Sequence, residues 1–416
     1  MLGSGSTFII YMILARHLGV EQFGLFSSAF ANIAILSLFA GFGVSQSWLK
    51  HFGTEGWNAI RWLPSSFKLV IISIAIVLLM LFLWAFFGPH DSSTQQILLI
   101  MSFFVIGQIV IELVSVKLQL EEKYSKLALW QLLPNLLRLI FIATFIFAFS
   151  NSLDVIEVAY IYALVAILFI FIGLYQLKQM KTNLDLKGHG EKIINYLDAP
   201  KIKEVLSHSW AFGIASVFAF IYLQSDIIMV KYISGDEQAG LYNIGFVIMT
   251  AILILPTVFY QKFLMPKVHR WANSDKRKFY ENYKRGNIAM LLSGLLVLLL
   301  IYFLSSFFIP WLFGGEYIDS IELVKILSFS LPFYFIAYNV GITLVANEHM
   351  KQKVKLMGVV ALLNIILNLL LIPTYQAVGA ATATVLSNVI LLILYYTYAE
   401  KKVFKYQKGK RNVEIN

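Results

Sequence analysis

Gly19-Val-Glu-Gln-Phe-Gly-Leu-Phe26 and Gly235-Asp-Glu-Gln-Ala-Gly-Leu-Tyr242 are two copies of one short motif, 216 residues apart. Each copy lies in a polar break between two long apolar runs, and Phe30 and Phe246 keep the same spacing further on. The chain is therefore predicted to contain two copies of one membrane unit. Repeated halves are typical of secondary transporters that work by alternating access.

The composition supports a membrane protein. Of the 416 residues, 59% are apolar and 13% are charged, and the mean hydropathy is +0.75. Apolar runs of about 20 residues, the length that spans a hydrocarbon core, recur along the chain. The sequence contains no cysteine, so disulfides, thiolate metal sites and cysteine nucleophiles are excluded. We predict an all-α polytopic membrane protein.

The apolar runs predict twelve transmembrane helices, six in each half. They lie near 1–15, 23–48, 66–88, 96–117, 127–149, 155–177, 207–230, 239–261, 287–309, 321–345, 354–373 and 379–399. An even number per half gives the repeats the same orientation in the membrane. We predict an N-terminal six-helix lobe (1–177), a cytoplasmic linker (178–206), a C-terminal six-helix lobe (207–399) and a basic cytoplasmic tail (400–416).

The basic residues give the orientation, because lysine and arginine concentrate in cytoplasmic loops. Alternate loops and the C-terminal tail carry 28 of the 33 basic residues. These segments are 49–66, 117–126, 178–206, 262–286, 346–355 and the residues after Glu400. Both termini are therefore predicted to be cytoplasmic. The net charge of +10 is explained by loops that face the anionic lipid bilayer, and no nucleic-acid partner is required.

The first predicted helix is short. By the repeat spacing Met1 matches Ser216, whereas the helix that contains Ser216 begins near Ser207. We expect an apolar in-frame extension with a basic leader upstream of Met1. A stop codon directly before Met1 would contradict this expectation.

The sequence lacks the signatures of common enzymes. It has no GxxxxGK[ST], GxSxG or HExxH motif, and the predicted outside loops are too short for a catalytic domain. Asp185 and Asp198 lie in the basic linker rather than in an outside loop. We expect a protein without catalytic activity, cofactor or metal.

Three segments carry a resemblance to a known family. They are Leu14-Ala-Arg-His-Leu-Gly19 through Phe26, Ser225-Asp-Ile-Ile-Met229 through Tyr242, and Ile372-Pro373 through Gly379-Ala-Ala-Thr-Ala-Thr384. Together they resemble the polysaccharide biosynthesis or oligosaccharide flippase family, over nearly the whole chain. One departure is Gln376, which stands where the family often has glycine.

The resemblance implies the multidrug, oligosaccharidyl-lipid and polysaccharide exporter superfamily, with a MATE-like pair of lobes around a central cavity. The implied activity is a flippase for polyprenyl-pyrophosphate-linked oligosaccharide, used in O-antigen, capsule or exopolysaccharide synthesis in a bacterial plasma membrane. Polysaccharide polymerase and chain-length machinery are its implied partners. The chemistry is coherent, because sugar and pyrophosphate cannot cross hydrocarbon unaided.

Arg138 is the first candidate for substrate binding. It lies about eleven residues into the fifth predicted helix, near the membrane midplane, where an arginine needs water or a partner. Asn135 in the same helix, and Asn364 and Asn368 in the matching eleventh helix, are polar cavity candidates. The alternative is that Arg138 belongs to a buried ion pair or caps backbone groups.

Other charged residues are candidates with competing interpretations. Arg16, Lys68 and Lys325 lie near helix ends, where they can bind substrate or reach the membrane interface. Asp226 and Glu112 are candidates for coupling to sodium or protons. Alternatively, Asp226 pairs with Arg16 or Lys231, and Glu112 pairs with Lys68 or Lys117.

Two other functions remain open. A cation-coupled multidrug exporter shares the two-lobe plan but would depend on a membrane-buried acid more than on cavity cations. An integral membrane glycan polymerase or ligase would need a catalytic outside loop, which is not found in this sequence.

Overall fold

The computed structural model describes residues 2–148, 153–190, 198–259, 265–346 and 349–405. These residues form helices joined by short turns and contain no strand, so the all-α class is confirmed. The chain divides into two compact units, Met1–Ile221 and Tyr222–Asn416.

The first unit is built from long apolar helices. They are α1 (Leu2–Gly41), α2 (Val44–Glu55), α3 (Leu63–Phe87), α4 (Ser92–Ile100), α5 (Ser102–Leu120), α6 (Tyr124–Ala148), α7 (Val155–Lys178), α8 (Met180–Asn183) and the first part of α9 (Ile202–Ser234). A 3-10 turn, Gly56–Trp62, joins α2 to α3. Side-chain caps start two helices: Asp91 accepts from the backbone N–H of Thr94 (3.3 Å), and Asp154 forms a capping box with Glu157.

Two breaks divide the start of this unit. Gly19 has φ 73° inside α1, at the boundary between the first two predicted helices. Phe42 (φ 36°) and Gly43 (φ 75°) then separate α1 from α2, so the single helix predicted over 23–48 is wrong. A Cβ at Gly43 would collide with the backbone of Ser209 in α9. The close approach of α9, a tertiary contact, is the reason for the break.

The predicted linker is attached to the first unit where it is described. Leu184 and Leu186 are buried. The hydroxyl of Ser65 donates to the carbonyl of Pro200 (2.6 Å), and Nε1 of Trp57 donates to the carbonyl of Gly190 (3.3 Å). These contacts hold the segment against the ends of α2 and α3.

The second unit has the same kind of construction. It contains the rest of α9, α10 (Asp236–Phe259), α11 (Met265–Ser274), α12 (Lys276–Phe313), α13 (Ser320–Ser328), α14 (Ser330–Ala346) and α15 (Met350–Tyr398). Gly235 has φ 94° between α9 and α10, which is the position of Gly19 in the repeat. Gln376 (φ 51°, ψ −133°) breaks α15 at the boundary between the last two predicted helices.

Predicted helices four and ten each become two helices. Met101 separates α4 from α5, and α13 meets α14 at a bend of 41°. Within the described residues, eight helical stretches are long and apolar enough to cross a membrane, or nine with the bent pair. Two of these stretches span 83 and 54 residues and contain the breaks at Gly19 and Gln376. A polytopic membrane protein is confirmed, and the count of twelve crossings stays a prediction.

Candidate functional site

The first candidate site surrounds Arg138 in α6. The side chain is buried, with 6% exposure, and lies one turn after Pro134. Nη1 donates to Oδ1 of Asn135 (3.0 Å), whereas Nε has no hydrogen-bond partner among the described residues. No carboxylate in residues 2–148 or 153–190 lies within ion-pair distance of the guanidinium. The buried ion pair considered from the sequence is therefore not formed there.

Aromatic rings take the place of a counter-ion. The guanidinium carbon lies 4.6 Å from the ring centroid of Tyr162 in α7 and 5.1 Å from that of Phe104 in α5. Phe30 of α1 packs edge-on against both rings, at 5.7 and 5.1 Å. We call Arg138, Asn135, Phe30, Phe104 and Tyr162 the Arg138 cluster. Cation–π contacts of this kind stabilise a desolvated arginine while leaving its charge uncompensated.

The second candidate site surrounds Asp226 in α9. Its side chain is 3% exposed and accepts hydrogen bonds from Oη of Tyr242 in α10 (2.7 Å) and Nδ2 of Asn368 in α15 (2.6 Å). The hydroxyl of Thr384, after the break in α15, donates a third. These donors reach one carboxylate from α10 and from both sides of the break in α15. Buried carboxylates need such donors when no cation pairs with them.

Further polar groups extend this arrangement. Oδ1 of Asn364 accepts from Nδ2 of Asn368 (3.1 Å) and from the hydroxyl of Ser225 (3.3 Å). Oδ1 of Asn368 has no partner within the described residues. We call Asp226, Tyr242, Asn364, Asn368 and Thr384 the Asp226 cluster. The oxygens of Asp226, Asn364 and Asn368 are hard ligands, the type that binds a proton or a group 1 or 2 cation.

A small cavity of about 60 Å³ adjoins Asp226, Tyr242 and Thr384. Liquid water occupies about 30 Å³ per molecule, so the cavity has room for a cation or one to two waters next to the carboxylate. Tyr222 and Asn388 line the same cavity, and the tyrosine hydroxyl donates to Oδ1 of Asn388 (2.7 Å). The geometry suits reversible protonation or cation binding.

The structure decides between some of the pairings considered from the sequence. Nζ of Lys231 binds Asp236 (2.7 Å), and no ion pair in the described part of the second unit includes Asp226. Glu112 accepts from the hydroxyl of Ser45 in α2 (2.5 Å). Lys117 pairs with Glu121 (2.9 Å), so its proposed pair with Glu112 is not formed.

The remaining cation candidates are Arg16, Lys68 and Lys325. Arg16 is exposed on α1, and Lys68 is exposed in the first turns of α3. The contacts described for Arg138 include neither residue. Nζ of Lys325 lies 5.4 Å from the ring centroid of Tyr302 in the second unit.

Sequence reasoning identified Asp226, Asn364 and Asn368 but did not bring them together, and it missed Tyr242 and Thr384. Both missed residues lie in the motifs that carry the family resemblance. Two of the three donors to Asp226 thus belong to those motifs, whereas the third, Asn368, precedes the last motif by four residues. Around Arg138, Phe30 belongs to the repeat, whereas Phe104 and Tyr162 had no comparable signal, because 15% of the chain is aromatic.

Comparison with known proteins gives a family and two groups of relatives. A family model described as polysaccharide biosynthesis protein matches residues 1–270. The capsular polysaccharide biosynthesis protein CapF of Staphylococcus aureus is 22% identical over 95% of this chain and 95% of its own length. The probable low-salt glycan biosynthesis flippase Agl15 of Haloferax volcanii is 22% identical over 96% of this chain and 80% of its own length.

Solved structures share the fold. The lipid II flippase MurJ in an inward closed conformation matches with a TM-score of 0.71 and 15% identity, over 95% of this chain and 86% of the other. An inward-facing multidrug resistance MATE transporter matches with a TM-score of 0.72 and 15% identity, over 97% and 96%. These likenesses concern the fold and agree with the expected MATE-like class.

Proposed function

Because the chain belongs to the polysaccharide biosynthesis protein family, we propose that it is a flippase for polyprenyl-pyrophosphate-linked oligosaccharide. The product would serve the synthesis of capsule, O-antigen or exopolysaccharide. The observation that carries the proposal is the buried Arg138, which has aromatic neighbours and no carboxylate partner in the described part of its unit. A relative named as a glycan biosynthesis flippase supports it.

Arg138 supplies the charge that the substrate requires. A pyrophosphate that leaves water loses its hydration, and each unsatisfied polar group in hydrocarbon costs several kcal/mol. A guanidinium can replace part of that hydration with two parallel hydrogen bonds. The polyprenyl tail needs no such path, because it is compatible with lipid throughout.

Asp226 supplies a means of coupling. A carboxylate surrounded by neutral donors gains or loses a proton or a cation without breaking an internal ion pair. A ligand shifts a conformational equilibrium by its difference in affinity between states. We propose that Asp226 binds the coupling ion and that transport proceeds by alternating access. Glu112 is the lesser coupling candidate, since its described bond is to Ser45 alone.

The proposal is tested by reconstitution. The purified chain is placed in liposomes with a fluorescent polyprenyl-pyrophosphate oligosaccharide, and exposure of the sugar to an impermeant reagent is followed. We expect rapid exposure of the inner pool with the wild-type chain and slow exposure in protein-free liposomes. Equal rates in the two samples would reject the flippase function.

The alternative is a cation-coupled multidrug exporter, which the Asp226 cluster and the shared MATE fold favour. The same liposomes can be loaded with a cationic dye under a sodium or proton gradient. Gradient-driven dye movement that survives Arg138→Gln, together with an inactive oligosaccharide assay, would favour the exporter. A polymerase or ligase is not supported, because the solved structures that share the fold are a flippase and transporters.

We further propose a bacterial plasma-membrane location, cytoplasmic termini, lobes at 1–177 and 207–399, and cooperation with polymerase and chain-length machinery.

The chain has no cysteine, so single cysteines report orientation directly. In intact cells an impermeant thiol reagent should label cysteines at Ser93 and Gly315 and should not label those at Asn183 and Ser274. Labelling at Ser274 would reverse the orientation. A fifth site, Ser152, lies outside the described residues.

A further inference from the structure

A cavity of about 560 Å³ lies in the second unit beside the first half of α12. On α12 the lining includes a stripe of small residues, Gly286, Ala289 and Ser293, and on α14 it includes Phe335. The Cβ of any larger residue at Gly286 would press on Asn339, so glycine sets the close approach of α12 and α14 there. The volume is within the range of about 300–1,000 Å³ that ligand pockets occupy.

The cavity adjoins a surface that faces lipid. Along α12 the residues next to the stripe are large, apolar and exposed, with Leu292 at 62% and Leu296 at 59%. Ala289 and Ser293 are themselves exposed. A flexible apolar chain can therefore enter the cavity from the bilayer without first crossing water.

An amphipathic helix covers one end of the cavity. In α11, Val268 and Trp271 line the cavity and pack against a buried core, whereas Lys267 and Arg270 are exposed. A short helix with one apolar and one cationic face is typical of the membrane interface. The cavity thus begins at headgroup depth and continues beside the apolar run that starts at Ile288.

The segment 265–286, which supplies part of the lining, is strongly basic. Residues 265–286 contain seven lysines or arginines and two acidic residues. Both acids are already engaged: Glu281 pairs with Arg277 (3.1 Å), and Asp275 caps α12 through the backbone N–H of Lys278 (2.9 Å). Arg285 lines the cavity, is exposed, and makes no ion pair or hydrogen bond within the described residues.

We propose that this cavity binds an anionic phospholipid. The phosphate lies at Arg285 and the side chain of Asn282, and an acyl chain lies along Ala289, Ser293 and Val297. The lining along Ala289, Ser293 and Val297 suits a hydrocarbon chain, and its position beside the lipid-facing surface of α12 suits a membrane component. Arg285, which has no ion-pair partner within the described residues, suits an anionic headgroup. The bound lipid would tether α11 to α12. Neither helix carries a residue of the Arg138 or Asp226 cluster.

Native mass spectrometry of the purified full-length chain tests the site, with phosphatidylglycerol and phosphatidylcholine as the two probes. A basic residue near a headgroup contributes about 1 kcal/mol, so we expect about fivefold tighter binding of phosphatidylglycerol and loss of that preference in Arg285→Gln. Lys276→Gln is the control: it removes a cation from the same helix, outside the cavity lining and without breaking an ion pair of the described residues, and should keep the preference.

The groove is tested separately by filling it. Ser293→Trp should remove the tightly bound lipid of either headgroup, whereas Leu296→Trp, on the neighbouring lipid face, should leave it bound. Equal effects of Arg285→Gln and Lys276→Gln, or lipid retained in Ser293→Trp, would overturn the proposal. Displacement of phosphatidylglycerol by an equimolar polyprenyl pyrophosphate would also overturn it, because the site would then belong to the transported lipid.

Discussion

The Arg138 cluster in the first unit and the Asp226 cluster in the second hold opposite charges, on helices that do not match in the repeat. By the spacing of the repeated motif, Asp226 matches Ile10 and Tyr242 matches Phe26. Phe26 is buried and packs edge-on against Tyr162, the ring that covers Arg138 (5.2 Å). The first unit thus has apolar side chains at the positions of the acid and its hydroxyl donor, and it carries its buried charge on another helix.

The surroundings of the two charges differ as much as their sign. Asp226 receives three hydrogen bonds from neutral donors of its own unit. Arg138 has one amide oxygen and two aromatic faces. The acid is satisfied internally and can exchange a proton or cation, whereas the arginine still needs an anion. The proposed cation-driven flippase would use the arginine of the first unit for the pyrophosphate and the acid of the second unit for the cation.

Removing the charge of Arg138 should have the largest effect. We expect Arg138→Gln to slow oligosaccharide transport at least about 100-fold, since a lost charge-assisted contact of about 3 kcal/mol corresponds to that factor. Arg138→Lys should keep partial transport, because it retains the charge but loses the paired donors. Transport is measured in the liposome assay and by surface polysaccharide in cells.

Membrane abundance must be measured in the same cells. Arg138 has no ion-pair partner in the described part of its unit, so Arg138→Gln leaves no buried carboxylate unpaired and abundance should stay normal. Lys68→Gln, which removes an exposed cation from α3, is the control and should transport normally. Reduced abundance with normal transport per molecule would assign Arg138 a structural role instead.

The second prediction concerns Asp226→Asn, which removes the charge and keeps the size. We expect transport to lose its dependence on a sodium or proton gradient and to slow about tenfold, the effect of about 1.4 kcal/mol. Initial rates are compared with and without each gradient. Asp236→Asn, which breaks the pair with Lys231, is the control and should keep the dependence. An unchanged gradient response in Asp226→Asn would show that Asp226 is not the coupling site. The two clusters would then not divide substrate binding and coupling between the units.

The third prediction exchanges the residues that distinguish the units. Tyr242→Phe makes the second unit resemble the first and removes one donor from Asp226, so the cation concentration for half-maximal transport should rise several-fold. Tyr395→Phe is the control, because that buried hydroxyl donates to the carbonyl of Lys353 (3.3 Å) and does not line the cavity beside Asp226. The reciprocal Phe26→Tyr adds a hydroxyl to a fully buried ring and should lower stability by about 1–3 kcal/mol. A thermally unchanged Phe26→Tyr would show that the first unit also tolerates a polar group there.

The sequence predicted the repeat, the all-α membrane fold and most helix positions, because apolar run length and loop charge are local properties. It also selected Asp226, Asn364, Asn368 and Arg138, since polar groups inside apolar runs are conspicuous. It could not predict the break at Phe42 and Gly43, which depends on the backbone of α9 arriving from far along the chain. Nor could it select Phe104 and Tyr162 among many aromatic residues that serve packing.

The smallest effect is expected at Gln376. Here a break in the second unit has a residue other than glycine at positive φ, whereas the break at Gly235 has glycine. Gly19 and Gly235 supply the positive φ at the motif breaks, whereas Gln376 adopts φ 51° and ψ −133° with a side chain. A residue other than glycine in such a conformation costs about 1–3 kcal/mol, and glycine loses about 0.5–1 kcal/mol of that gain through its greater freedom in the unfolded chain.

We therefore expect Gln376→Gly to stabilise the chain by about 1 kcal/mol and to raise the melting temperature by about 2 °C, with transport unchanged. Gln376→Ala is the matched control. The side chain is exposed, so its removal should be neutral while the backbone strain remains. Both melting temperatures are read in one detergent by tryptophan fluorescence. Equal melting temperatures for the glycine and alanine variants would mean that the backbone at Gln376 is not strained. The two units would then differ in their charged clusters but not in the backbone strain at their helix breaks.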